Sequence, residues 1–185
     1  SNPAEGTVSP SSVTFTSGNW NTPQTVTITG VDDFLVDGAV AYSIVTAAAT
    51  SADSNYSSLN ASDVSATNTD NDAAGVTVTP TAGLVTSESG ATATFSVRLN
   101  SQPVASVTIA VLSSNLLEGL ATPAALIFNG ANWNTPQTVT VTGVDDLFVD
   151  GAANYTVVTS AAVSTDSNYS GLNPSDVIVT NSDND

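Results

Sequence analysis

Residues 1–72 recur as residues 114–185 at a constant offset of 113, without a gap. About 45 of the 72 aligned pairs are identical. The stretch Asn19-Trp20-Asn21-Thr22-Pro23-Gln24 returns from Asn132 to Gln137, and Asp70-Asn71-Asp72 returns as Asp183-Asn184-Asp185. Repetition of this length means that one structural unit is used more than once, which restricts the fold to one that tolerates tandem copies of itself. The full unit spans 73–185, and 1–72 corresponds to the C-terminal part of another. The chain is therefore read as a piece of a longer tandem array. A unit of about 113 residues is large enough to bury a core of its own.

Nearly every stretch of the unit alternates apolar and polar residues between Gly, Pro, Asn or Asp punctuation, and no window has helical spacing. Seven short strands are expected. They centre on Val76/Val78, Phe95/Val97/Leu99, Val107/Ile109/Val111, Leu126–Phe128, Val139/Val141, Tyr155/Val157 and Val177/Val179. That number and length match a two-sheet β-sandwich of immunoglobulin-like size. Residues 1–72 carry strands four to seven, which leaves half a core and unpaired edges. Either the preceding strands belong to the same longer chain, the preferred explanation, or a neighbouring chain supplies them by strand addition. Trp20 and Trp133 fall in the connection between strands four and five. The reading preferred for them is a plug closing one end of the sandwich. Tyr56 and Tyr169 are read as loop anchors, and exposure of these aromatics as a glycan-stacking platform is the alternative.

The chain carries 17 acidic residues against one base, Arg98, for a net charge of −16. Such a surface repels nucleic-acid phosphates and anionic lipid heads, so neither nucleic acid nor direct membrane insertion is expected. Cys, His, Met and Lys are all missing. Imidazole and thiolate catalysis are thereby excluded within this stretch, no acid–base pair stands outside the acidic turns, and no enzyme is expected. A cysteine-free, Thr/Ser/Asn-rich composition suits an extracellular, secreted or cell-surface protein.

The acidic residues concentrate at turns. In the complete unit they are Glu88 after the first strand, Asp145, Asp146 and Asp150 after the fifth, and Asp183 and Asp185 after the last. With alternating strand directions these segments reach one pole of the sandwich. Carboxylates a few ångströms apart resist joint ionisation without a cation between them. Hard oxygen donors without His or Cys select Ca²⁺, while Mg²⁺ demands an octahedral geometry that irregular loops seldom meet. The bland alternative is that these aspartates cap turns. In the partial copy the matching positions are Asp32, Asp33, Asp37, Asp70 and Asp72, with no counterpart of Glu88. Asp166 and Asp176 also recur, and are read as loop residues.

Glu88, the Phe128 strand, Gln137-Thr138-Val139-Thr140-Val141, Asp145-Asp146, Asp150 and Asn181-Ser182-Asp183-Asn184-Asp185 together resemble the Calx-beta domain. The resemblance covers 73–185 and, in truncated form, 1–72, and the wording of the repeat is closer to tandem-repeat bacterial adhesins. It implies an immunoglobulin-like sandwich that binds clustered Ca²⁺ at its C-terminal pole, through Glu88, Asp145, Asp146, Asp150, Asp183 and Asp185. After the third strand, where the family often has Asp-Gly, this chain has Ser113-Ser114-Asn115, which weakens one ion position. The function expected is a structural repeat of an extracellular bacterial stalk, adhesin or fibre, rigidified by Ca²⁺ between repeats. Its partners would be adjacent repeats of the same chain and neighbouring copies in a fibre. A surface-glycan module using the Trp and Tyr loops, or a fibre subunit completed by a neighbour's strands, is the alternative.

Overall fold

The computed structural model describes every residue from Ser1 to Asp185 except Asp150. It divides into two units, Ser1–Asp33 with Asp37–Asn71, and Phe34–Val36 with Asp72–Asp185.

The first unit has four strands, β1 (Gly6–Ser9), β2 (Thr27–Gly30), β3 (Val40–Ile44) and β4 (Val64–Asn68). They form two separate antiparallel pairs, β1–β2 with Gly6 opposite Gly30, and β3–β4 with Val40 opposite Asn68. The second unit has ten strands among the described residues: β5 (Val76–Thr79), β6 (Leu84–Ser87), β7 (Thr92–Leu99), β8 (Val107–Ser113), β9 (Gly119–Thr122), β10 (Ala125–Phe128), β11 (Gln137–Gly143), β12 (Ala153–Thr159), β13 (Val163–Ser164) and β14 (Val177–Ser182). One sheet runs β5-β7-β11-β9 and the other β10-β8-β12-β14-β6, with β13 also on β8.

The alternation that marks these strands places the core between the two sheets. Phe95 lies opposite Val139 across β7–β11, and Tyr155 opposite Val179 and Val157 opposite Val177 across β12–β14. All six are buried in one cluster with Val107, Ile109, Val111, Leu126 and Phe128. Trp133 caps this cluster, and its carbonyl accepts a hydrogen bond from Leu99 N at the C-terminal end of β7 (2.9 Å). Tyr169 is fully buried, with its hydroxyl bonded to Ser101. Trp133 and Tyr169 are thus buried as plug and anchor of the complete unit.

Each of the seven expected strands forms in the second unit, and β6, β9 and β13 are additional. In the first unit the expected fourth strand, around residues 12–15, does not form. Its counterpart β10 pairs with β8 alone, and the first unit has no equivalent of β8. The consequence shows in the side chains: Phe15 is 55% exposed where Phe128 is 0%, and Trp20 is 70% exposed where Trp133 is 8%.

Candidate metal centre

The acidic pole of the second unit is built by a parallel pairing. Strands β6 and β14 run side by side in the same direction, with Ser87 opposite Ser182. Parallel neighbours end at the same place, so Glu88, one residue beyond β6, arrives beside Asp183, one residue beyond β14. Glu88 N donates to Ser182 O (3.0 Å), and Glu88 Oε2 accepts from Asn184 N (3.1 Å). Close approach of β11 completes the pole, because a Cβ on Gly143 would run into the Ser87 carbonyl. Glycine at that position lets the two sheets meet at this end.

Single carboxylate oxygens from Glu88, Asp183 and Asp185 lie within 4.8 Å of one another. Glu88 is 3% exposed, Asp183 half-buried and Asp185 exposed. Oxygens that share one Ca²⁺ at 2.3–2.6 Å can stand up to about 5 Å apart, whereas the octahedral Mg²⁺ shell ends near about 4.2 Å. Three carboxylate oxygens without His or Cys, no more than 4.8 Å apart, could share a hard divalent cation. Asp183 Oδ2 also accepts from Gly151 N (2.7 Å), and Asp185 N donates to Asp183 Oδ1 (2.8 Å). These bonds fix the C-terminal tail against the connection that follows β11. Asp145 joins the edge of the group through Asn184 Nδ2 (3.5 Å). Asp146 accepts from Phe148 N (2.8 Å) in its own turn, and Asp150 lies outside the described residues.

A different set converges in the first unit: Glu5, Asp33 and Asp37, again with one oxygen each within 4.8 Å. Glu5 is buried, and its Oε2 accepts from Asn68 Nδ2 (3.2 Å), which also donates to Val31 O (2.7 Å). Asp70 Oδ2 holds the turn by accepting from Asp37 N (3.1 Å) and Gly38 N (2.8 Å). Gly38 has φ +78°, a left-handed conformation that favours glycine there. Asp32 is exposed and outside the trio, and Asp72 is grouped with the second unit.

Offset by 113, Glu5 and Asp33 become Glu118 and Asp146. The same framework surrounds Glu118, which is buried and accepts from Asn181 Nδ2 (3.3 Å), and Asn181 Nδ2 donates in turn to Val144 O (3.2 Å). Asn181 thus ties the buried Glu118 to the Val144 carbonyl and, through its Oδ1, to Thr86 Oγ1 (2.9 Å). Glu5 and Glu118 are absent from the ligand set read in the sequence. Their signal was available, since two of the three glutamates in the chain recur at the repeat offset just before β1 and β9. Tyr155 closes the inner side: its hydroxyl lies over Gly119 and 3.3 Å from Thr86 Oγ1. Burial raises its pKa above the ordinary phenol value, the Thr86 hydrogen bond opposes this, and the Glu118 charge adds to it.

The single base lies elsewhere. Arg98 is six residues beyond Thr92 on β7, roughly 20 Å along the strand, and bonds to the Leu99 carbonyl. Asp166 and Asp176 serve loops, as expected. Asp166 accepts from Val104 N (2.8 Å) and Asn168 N (2.9 Å), and Asp176 accepts from Thr159 N (2.9 Å).

No family model matches the chain, and no curated protein does. Among solved structures, the apo-form Calx CBD1 domain is similar over 60% of this chain and 96% of its own, at 15% identity and a TM-score of 0.44. WR4, a C. elegans MSP family member, is similar over 59% of this chain and 97% of its own, at 12% identity and a TM-score of 0.38. The E. coli chaperone DraB is similar over 58% and 54%, at 9% identity and a TM-score of 0.36. The chain's own strand order, β5-β7-β11-β9 facing β10-β8-β12-β14-β6, makes the second unit an immunoglobulin-like β-sandwich.

Proposed function

We propose that the chain is part of a structural array, an extracellular stalk, adhesin or fibre, whose repeats are stiffened by Ca²⁺ held at their acidic poles. The observation that carries this is the buried Glu88 carboxylate converging with Asp183 and Asp185, while the one cationic side chain lies at the far end of β7. Glu88, Asp183 and Asp185 would hold one ion, with Asp145 at its edge. Glu5, Asp33 and Asp37 in the first unit would hold another. A bound divalent ion would bring positive charge into each group of close carboxylate oxygens. Because Asp183 and Asp185 follow the last strand, an ion there would also fix the segment leading to the next repeat. Composition supports an extracellular setting, since stability would come from ions rather than from disulfides.

Thermal unfolding in chelator and in millimolar Ca²⁺ tests the reading. A ligand present at 100 times its dissociation constant stabilises the folded state by about 2.7 kcal/mol, which for a unit of this size is on the order of 10 °C. The Glu88→Gln variant should lose most of that rise while melting close to the parent in chelator. Superimposable parent curves in chelator and Ca²⁺ would end the proposal.

A second reading concerns the first unit. Phe15, Trp20 and Tyr56 are exposed there, while their counterparts Phe128, Trp133 and Tyr169 are buried. A segment equivalent to 73–113, from the same polypeptide or a neighbouring one, would cover that face. Concentration-dependent association in sedimentation would favour a neighbour, and a monomer throughout would favour the same polypeptide.

A further inference from the structure

The second unit contains a tripeptide, Phe34-Leu35-Val36, that is remote in sequence from the rest of it. Its backbone is held in register: Gln102 N donates to Phe34 O (2.7 Å), Leu35 and Gln102 form a parallel bridge, and Asn168 Nδ2 donates to Val36 O (3.0 Å). The Phe34 ring leans on Trp133, with centroids 5.4 Å apart and planes tilted by 46°. The seat is braced from behind. Asp166 Oδ1 fixes Asn168 N (2.9 Å), and the buried Tyr169 hydroxyl accepts from Ser101 N (3.0 Å), next to Gln102.

The same position of the repeat, 113 residues on, is Leu147-Phe148-Val149. The two connections read Val-Asp-Asp-Phe-Leu-Val and Val-Asp-Asp-Leu-Phe-Val, differing only in the order of Phe and Leu. Yet Leu147, Phe148 and Val149 are 87%, 71% and 81% exposed. Single exposed apolar residues are ordinary, but three large ones in succession mark an interaction surface.

We propose that Leu147–Val149 is a docking segment whose partner is a further copy of the 73–185 unit. The occupied seat in this chain defines the contact. The tripeptide adds in parallel to the partner copy's counterpart of Gln102, receives a side-chain amide from the counterpart of Asn168, and lays an apolar side chain on the counterpart of Trp133. Recognition through backbone pairing with a broad aromatic surface tolerates exchange of Phe and Leu. The proposal rests on the reading of the unit as a member of an array, and does not depend on the ion.

Hydrogen exchange of the 185-residue chain is compared with that of a chain in which a further copy of residues 73–185 follows Asp185. Docking slows exchange at Leu147–Val149 by at least about tenfold in the longer chain. Phe148→Asp in that chain should restore the fast rate. Equal exchange in the two chains overturns the proposal, as does protection that persists in the Phe148→Asp variant. Run in chelator and in Ca²⁺, the comparison separates the two ideas. A Ca²⁺-dependent rise in melting temperature without protection removes docking alone, and protection without that rise removes the ion alone.

Discussion

Phe128 and Phe15 are one residue of the repeat in two surroundings. Phe128 stands opposite Val107 of β8 and has no exposed surface, while Phe15 has no strand opposite it and is half-open. Truncating Phe128 to Ala should remove a buried ring and leave a cavity, at a cost of about 3–5 kcal/mol. The same change at Phe15 should cost about 0.5 kcal/mol, as for an ordinary surface site. Calorimetric unfolding of the two variants checks the contrast. Comparable losses would mean that Phe15 is covered in solution, and would point directly to a partner for the first unit.

Strand β6 shows where reading by alternation stops. Leu84 packs against the core, but the next inward position is Thr86, which is buried, while Val85 is exposed, so the usual apolar-in pattern breaks off after one residue. Thr86 Oγ1 donates to Asn181 Oδ1 at 2.9 Å, so a buried hydrogen bond joins the packing of Leu84 in holding the strand. Thr86→Val keeps the shape and leaves Asn181 short of a donor, so a loss of about 1–3 kcal/mol in urea unfolding is expected. A neutral result would show that water takes over the bond. The long strands β7, β8, β11 and β14 were legible because their Val, Ile and Phe residues face one core at every second position. So was the convergence of Glu88, Asp183 and Asp185, since strand ends follow from strand order. Strand β9 was not legible, because it buries Gly119 and exposes Leu120. Glu118 escaped notice with it, being one residue outside a strand that the pattern conceals. The short β1 and β2 repeat the pairing of β9 with β11, yet the strand around residues 12–15 fails for want of β8. That failure could be foreseen from the missing segment but not from residues 12–15 themselves.

At the scale of the whole molecule, a net charge of −16 on 185 residues makes self-repulsion a general term beside the local one at the poles. The two can be separated by how each responds to salt. Screening acts over the Debye length, which falls from roughly 10 Å at 0.1 M to roughly 3 Å at 1 M monovalent salt. In chelator, NaCl over that range should raise the melting temperature gradually as distant repulsions fade. One millimolar Ca²⁺ added to 0.1 M NaCl hardly alters the Debye length, so any rise it produces belongs to bound ions. The expectation is a saturable increase with Ca²⁺ that exceeds the effect of NaCl at matched ionic strength, and that Glu88→Gln diminishes. If matched NaCl reproduces the Ca²⁺ curve, repulsion is relieved by the ion atmosphere alone and the converging carboxylates are solvated turn residues. The test is sharpest in the second unit, where β11, β14 and Glu88 meet at Gly143 and leave the buried carboxylate little freedom to swing away.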